Sequence, residues 1–590
     1  QILPGLVPGA GVLAGEPTPR DQKDAARAAE IVQGLGPLDI GQGAVVAQGL
    51  CLAVEALPGT QAMLDFVRLH AGLKPDPKGP RGVLYKAPKP GQDRRIDLPT
   101  LGPATIEAAA RAGLSGIGAA CHLQVECPEK SYAVLESRGA IGGTWDLFRY
   151  PGIRSDSDMH TLGYDFRPWT KAKAIADGPS IREYIQETAQ EYGIDRHIRF
   201  GQRVKSAAWS TEDAAWTLEI EQAGERRQLR CNFLYMCSGY YDYAKGHAPV
   251  FAGTERFAGR IVHPQFWPAD LDYAGKKVVV IGSGATAVTL VPEMAKQAAH
   301  MTMLQRSPTY VVSRPAEDGL ANRLRAMLPA KAAYGVTRWK NVLFGMLFYN
   351  LARMRPERTK ERLLGMVREH LGPDYDVQTH FTPRYNPWDQ RLCLVPDADL
   401  FDAIKRGDAS VVTDTIDTFT ETGIKLASGK EIAADVVVTA TGLELALMGG
   451  ATFSIDGRSV RLADSFQYKG MMFSDVPNLA FTFGYTNASW TLKADLVARY
   501  VCRLLNAMRR KAVRQATPRI GDATIAPQPF ADFSSGYIQR AIDNLPRQGD
   551  RKPWRLNQNY ALDVMALRFG SIENAMEFSN PVSVSRKEAA

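Results

Sequence analysis

The chain has 590 residues, 45% of them hydrophobic and 23% charged, with a formal net charge of +8. This composition is globular and excludes collagen-like, wholly disordered and membrane-bundle proteins, while the length predicts about three or four domains. No run approaches the roughly 18 apolar residues of a spanning helix, and the opening QILPGLVPGAG lacks the basic segment of a secretory signal, so neither is expected.

The basic residues are dispersed, and the densest run, Arg509-Arg510-Lys511, reads as a solvated helix end. No nucleic-acid partner is expected, while peripheral contact with a membrane stays open. Seven cysteines, an odd number with no C-x-x-C pair, argue against a disulfide framework and against a metal site. They suit a reducing compartment, and the cytoplasm is the expected location.

Residues 1–112 are rich in Gly, Pro and Ala, with short apolar runs at Gly43–Ala53 and Gly82–Tyr85 between Pro-rich loops, and read as a small α/β fragment. Thr105–Ala112 (TIEAAARA) is alanine-rich and should be helical by propensity. From Gly113 the pattern becomes regular. Ser131–Glu136 reads as a buried strand, Ile181–Tyr192 as a helix, and Lys276–Ile281, Met301–Gln305 and Asp435–Thr439 as further buried strands. Pro315–Leu371 is mostly helical, and Trp490–Met508 is one long helix. Strands alternating with helices predict a doubly wound α/β fold.

The strongest local motif is KKVVVIGSGATA (Lys276–Ala287), a strand running into G-x-G-x-x-A. Gly282 and Gly284 let the backbone approach a pyrophosphate at a helix N-terminus, and Ala287 lets that helix pack closely on the strand. About twenty residues on, where NAD folds carry an acid, stands Arg306, which suits a ribose 2′-phosphate and points to NADP. A second, incomplete fingerprint lies upstream: Gly113 and Gly116, then Glu136 at the end of the strand SYAVLE, then a Gly-rich turn at Gly142-Gly143-Thr144-Trp145. Its head departs from the pattern, because Arg111 holds the place of the first glycine and no apolar strand precedes it.

Between these segments runs Phe257-Ala-Gly259-Arg-Ile-Val-His263-Pro-Gln-Phe-Trp267-Pro268, a string of the form F-x-G-x-x-x-H-x-x-x-W-P. It is similar to the fingerprint of the type I Baeyer–Villiger flavin monooxygenases. Thr144–Asp158, Val280–Pro292, Tyr385–Pro396 and Gly484–Asp495 resemble the ethionamide-activating type within that family. The resemblance runs from about Gly113 into the low 580s. It implies FAD and NADPH in two Rossmann-like domains, and O2 activated as a C4a-peroxyflavin that converts ketones to esters or lactones and can also oxygenate sulfides and thioamides. It maps the active-site arginine onto Arg391, which would stabilise negative charge beside the flavin, and its orienting carboxylate onto Asp156. His263 and Trp267 would join and couple the two domains, and Asn487, in GYTNASW, would contact a cofactor. His160, Tyr385 and Trp388 could line a substrate cavity or simply be core.

Residues 1–112 instead resemble the C-terminal domain of the LpxI-type UDP-2,3-diacylglucosamine pyrophosphatase, through DIGQGAVVAQG (Asp39–Gly49), VEALPGTQAML (Val54–Leu64) and Lys86–Leu114. That family needs an aspartate with a divalent metal, and Asp97 is the candidate. The two resemblances meet at Ala112–Ile117, where the hydrolase would leave a helix for a strand and the monooxygenase a strand for a helix. The expected organisation is an LpxI-like fragment (1–112), an FAD domain in two parts (113–265, its first strand missing, and 414–590) and an NADP domain (266–413) with a helical insertion at about 315–375. A central strand of about five buried apolar residues contributes roughly 1.5–3 kcal/mol each, comparable in sum with a whole domain's stability of about 5–15 kcal/mol. Weakened FAD binding is therefore expected. The alternatives are a metal-dependent pyrophosphatase carried by residues 1–112 and a non-catalytic fusion product.

Overall fold

In a computed structural model the chain forms two units, residues 1–102 and 103–590. The structure describes residues 18–35, 43–54, 63, 67, 76, 83–86, 106–109 and 113–581, apart from 391, 522–523 and 531–535.

In the first unit, helix α1 (Pro19–Leu35) lies against an antiparallel sheet of order β2-β1-β3, made of β1 (Gly43–Ala47), β2 (Leu50–Val54) and β3 (Val83–Lys86). Ala28 and Val32 of the helix meet Ala44 and Val46 in a small core. Asp24 is 1% exposed. Its carboxylate accepts the Gln48 and Gly49 N–H groups at 2.9 and 2.7 Å, which fixes the β1–β2 turn. Asp97 lies outside the described residues.

The second unit holds two parallel sheets between which the chain crosses and returns. It supplies β4 (Ile106–Ala109), β5 (Tyr132–Leu135), β6 (Ile198–Arg199) and β7 (Phe233–Met236) to the first sheet. It then forms β8 (Arg260–Val262), β9 (Lys277–Ile281), β10 (His300–Gln305), β11 (Ala409–Thr413) and β12 (Val436–Thr439) of the second, and comes back as β13 (Leu479–Phe481). The strand orders are β13-β7-β4-β5-β6 and β8-β12-β9-β10-β11. The runs YAVL, FLYM and KVVVI are apolar on both faces because helices cover both sides of such sheets. The first sheet is covered by α2 (Leu114–Glu126) packed on α7 (Trp490–Arg510), and α3 (Ala285–Met294) follows β9. The expected insertion is present as α4 (Gly319–Met327), α5 (Ala330–Met354) and α6 (Pro356–Leu371).

One expectation is overturned. The expected helix at Thr105–Ala112 is contradicted at its described residues: 106–109 form strand β4, aligned with Tyr132–Leu135 on one side and Phe233–Leu234 on the other. The first strand of the first sheet is therefore supplied, not missing. The physical reason is pairing. A gap between β5 and β7 would leave two rows of backbone groups unsatisfied inside a sheet, and that cost outweighs the helix propensity of a few alanines. Downstream, Leu114–Glu126 is a helix, so Gly113 leaves a strand and opens a helix, the usage of the monooxygenase. Arg111 lies outside the described residues.

No disulfide joins the seven cysteines, all of which are described, and six of them are buried. Among the described residues no helix is long and apolar enough to cross a membrane.

Candidate functional site

At the C-terminal end of β4 the helix α2 starts from Gly113 with no side-chain cap. Gly116, in its first turn, is buried. The second glycine turn closes over this point. Gly143 has φ +55°, and a Cβ there would lie 3.3 Å from Gly113 Cα, so only glycine lets the two backbones approach. Thr144 Oγ1 lies 3.1 Å from Tyr243 Oη, and Trp145 is half-buried beside the core. Glu136 follows β5, fully buried, with Oε1 accepting the Arg138 N–H at 2.7 Å. An uncapped helix N-terminus, a glycine cradle and an acid at the end of the neighbouring strand form the donor and acceptor set that a dinucleotide's pyrophosphate and ribose require.

The second sheet repeats the arrangement. Gly282 has φ +137°, and a Cβ there would sit 2.3 Å from Ala440 O. Gly284 caps α3 without a side-chain bond, and a Cβ there would meet nothing within 4 Å, so the helix end is open. Ala287 is fully buried against the sheet. Ser283 Oγ lies 3.1 Å from Ser307 O and 3.0 Å from Thr309 Oγ1, which ties the glycine turn to the loop carrying the exposed Arg306. By contrast, Asp158, Asp177, Asp318 and Asp376 cap the helices they precede with their own carboxylates. The two glycine-led helices leave those amides for a ligand.

The string Phe257–Pro268 forms strand β8 of the second sheet and the turn after it. Gly259 is pressed against Asp435 O, which a Cβ would approach to 2.3 Å, and the His263 ring fills the space over Gly246. His263 Nδ1 accepts the Gln265 N–H at 3.2 Å. Burial pushes this imidazole below its ordinary range, and hydrogen bonds to backbone at Gly442 and His247 oppose the shift. Trp267 packs partly buried on the core of the second sheet. Arg154, from the segment between β5 and β6, pairs with Asp399, which precedes β11, at 2.5 Å.

A cavity of about 590 Å³ opens in this unit. Asp156 and Asn487 line it, as do Trp388 and Leu392, which flank the arginine position. Asn487 Nδ2 donates to Gln558 O at 3.0 Å. Arg391 lies outside the described residues, so the structure brings its neighbours, rather than its guanidinium, to Asp156. Trp388 has φ +71°, a backbone state that fixes the turn before Arg391. Tyr385 and His160 do not line this cavity.

Three ionic clusters were not legible in the sequence. Asp146, 5% exposed, pairs with Arg138, Arg149 and Arg182 at 2.5, 2.5 and 3.4 Å, which locks the helix that follows Gly143. Burial raises this carboxyl, but the arginines, Arg138 foremost, hold it below its usual range. Behind the first cradle, His122 on α2 faces Asp495 on α7, Glu126 and Asp165, while Arg338 of α5 pairs with Asp495 at 3.2 Å. Burial alone would lower the His122 imidazole, yet Asp495 and Glu126 raise it to about 9. Lys493 and Asp563 pair at 2.7 Å, and Tyr485 Oη and Asn557 Nδ2 also donate to Asp563. Most of these partners stand tens to hundreds of residues apart, so no spacing announces them.

Residues 173–451 match the flavin-binding monooxygenase-like family, and residues 9–125 match the LpxI C-terminal domain family. The FAD-containing monooxygenase EthA of Mycobacterium tuberculosis is 56% identical over 464 residues, 78% of this chain and 95% of EthA. The chain belongs to the flavin-binding monooxygenase family. It is a flavin-dependent monooxygenase by that membership, and EthA of Mycolicibacterium smegmatis is 55% identical over 79% of this chain and 96% of its own length. Among solved structures, an oxidised steroid monooxygenase bound to NADP has a TM-score of 0.65 at 20% identity, covering 81% of this chain and 99% of that one. An open form of cyclohexanone monooxygenase has a TM-score of 0.62 at 19% identity over the same shares. These two share the fold of the family member described here. The LpxI match extends to residue 125, into the helix Leu114–Glu126 that covers the first sheet.

Proposed function

We propose that this chain is an FAD- and NADPH-dependent monooxygenase that inserts one oxygen atom of O2 into ketones, in the Baeyer–Villiger manner, and also oxygenates sulfides and thioamides. The observation that carries the reading is the paired cradle: two parallel sheets, each with a glycine-led, uncapped helix, one followed by Glu136 and the other by Arg306. The first sheet, with residues 414–590, would hold FAD, with Gly113, Gly116 and the Gly142–Trp145 turn on the pyrophosphate and Glu136 on a ribose. The second, within 266–413, would hold NADPH, with Gly282, Gly284 and Ala287 forming the turn and Arg306 the 2′-phosphate contact. Relatives named as FAD-containing, and a neighbour solved with NADP, support the assignment.

Bound flavin supplies the hydride acceptor and the means of activating O2. The chain's own residues do the rest. Arg391, a cation at any working pH, stabilises the negative charge that develops during oxygen transfer, and Asp156, on the same cavity as Leu392, would orient it. The cavity is large enough for a small apolar substrate and carries Val312, Phe344 and Met346 on its wall. His263, wedged over Gly246, would couple the positions of the lobes. Seven cysteines without a disulfide suit a reducing compartment such as the cytoplasm. The test is NADPH oxidation by the purified, flavin-loaded protein with cyclic ketones and aryl sulfides. Substrate-stimulated oxidation matched by lactone or sulfoxide supports the reading, and oxidation without oxygenated product refutes it.

A further inference from the structure

Nineteen large apolar side chains are exposed among the described residues, and thirteen of them lie in just two short stretches, 320–354 and 562–569. On α5, Val336, Trp339, Leu343, Leu347, Leu351 and Met354 are between 44% and 74% exposed. At 3.6 residues per turn their spacing places them within an arc of about 120° on one side of the helix. The patch continues onto Leu562, Met565 and Phe569, since Trp339 lies against Tyr560 with ring centroids 5.6 Å apart. Unpartnered apolar surface of this extent marks a docking face.

Charge identifies the occupant. Residues 319–356 carry seven Lys or Arg and no Asp or Glu. Some of these cations are engaged within the protein, Arg338 with Asp495, Lys340 with Asp318 and Arg353 with Asp389, while Arg323, Lys331 and Arg355 are exposed, the last of them next in sequence to Met354 of the patch. An apolar face with a tryptophan in it, on a helix whose charged residues are all basic, suits the interface of an anionic bilayer. The face also adjoins the cavity, because Phe344 and Met346 of α5, and Asn559 and Tyr560 just before the second stretch, form part of its wall. The buried Lys493–Asp563 pair anchors the second stretch in place.

We infer that this face rests on an anionic lipid surface, so that apolar substrates pass from the bilayer towards the cavity without crossing water. Only the substrate route rests on the oxygenase reading, because lipid binding is measured without turnover. The experiment is flotation of the full-length protein with phosphatidylcholine vesicles, with and without phosphatidylglycerol, at low and high salt. The expected result is co-flotation with the anionic vesicles, weakened by salt, and a loss of roughly tenfold or more in the Leu343→Asp, Leu347→Asp double variant. Neither of those leucines lines the cavity, so flavin content and turnover of a small water-soluble ketone should stay unchanged. Should the double variant fail to fold, Leu347→Cys in a Cys51→Ser background, labelled with a polarity-sensitive fluorophore, gives a second readout, expected to shift to the blue with anionic vesicles. No co-flotation, co-flotation unchanged by the substitutions, or a dimer in solution that the substitutions dissociate would each overturn the inference, the last by showing the face to be covered by a second copy.

Discussion

The two nucleotide cradles are built to one plan from unequal sequence. In the second, β9 reads KVVVI, four of its five residues are buried, and the turn after it keeps both glycines and the closely packed Ala287. In the first, the corresponding strand reads IEAA, and Arg111 stands where the pattern calls for the first glycine. Yet both sheets have five parallel strands, and both leave a helix N-terminus uncapped. The difference teaches that a sheet with its neighbours in place recruits a strand from a sequence of poor strand propensity. Alanine carries less apolar surface than valine or isoleucine, at about 25 cal/mol per Å² on burial, so the composition of IEAA against KVVVI leads us to expect the first cradle to be the weaker of the two.

The sharpest way to break this comparison lies at the point both cradles serve. Arg391→Ala should lower oxygenated product by a factor of about 100 or more while NADPH oxidation continues, as product analysis alongside absorbance at the nicotinamide band would show. Next, Ala108→Pro removes a backbone donor from a central strand. Flavin should then be lost on gel filtration, whereas NADP affinity, measured by titration calorimetry, stays within about twofold. Replacing Arg306 with Ala removes one charge-assisted contact of about 1.5–3 kcal/mol. The KM for NADPH should rise by roughly one to two orders of magnitude, with the KM for NADH nearly unchanged and flavin content intact. Arg111→Gly restores the pattern of the second cradle in the first, and flavin should be retained several-fold longer in dialysis.

The smallest effect concerns pH. His122 is held at about 9 in the folded protein, against about 6.5 for an ordinary imidazole, facing Asp495, Glu126 and Asp165, with Arg338 and Arg499 on the same carboxylates. Its contribution to stability is complete below about 6.5 and is lost as pH rises through about 9. His122→Gln should flatten the decline in Tm between those values.

Much of the fold was legible. KKVVVIGSGATA announced a strand, a turn and a helix in one run, and the structure places all three. The helix read at Trp490–Met508, which the structure extends to Arg510, was legible because its core face repeats every three to four residues. The strand at 106–109 was not, because alanines read as helix when the flanking strands that demand a partner lie more than a hundred residues away on one side. In the site, glycines, Glu136 and Arg306 could be read from spacing, whereas the His122, Asp146 and Lys493 clusters depend on partners that only tertiary contact reveals.

Oxygen-isotope labelling tests the central claim most directly. With labelled O2, NADPH and a cyclic ketone, the flavin-loaded protein should form lactone carrying one labelled oxygen per NADPH consumed. Unlabelled lactone, or NADPH consumption yielding only peroxide, would contradict a chain that carries reducing equivalents from one cradle to oxygen transfer beside the other.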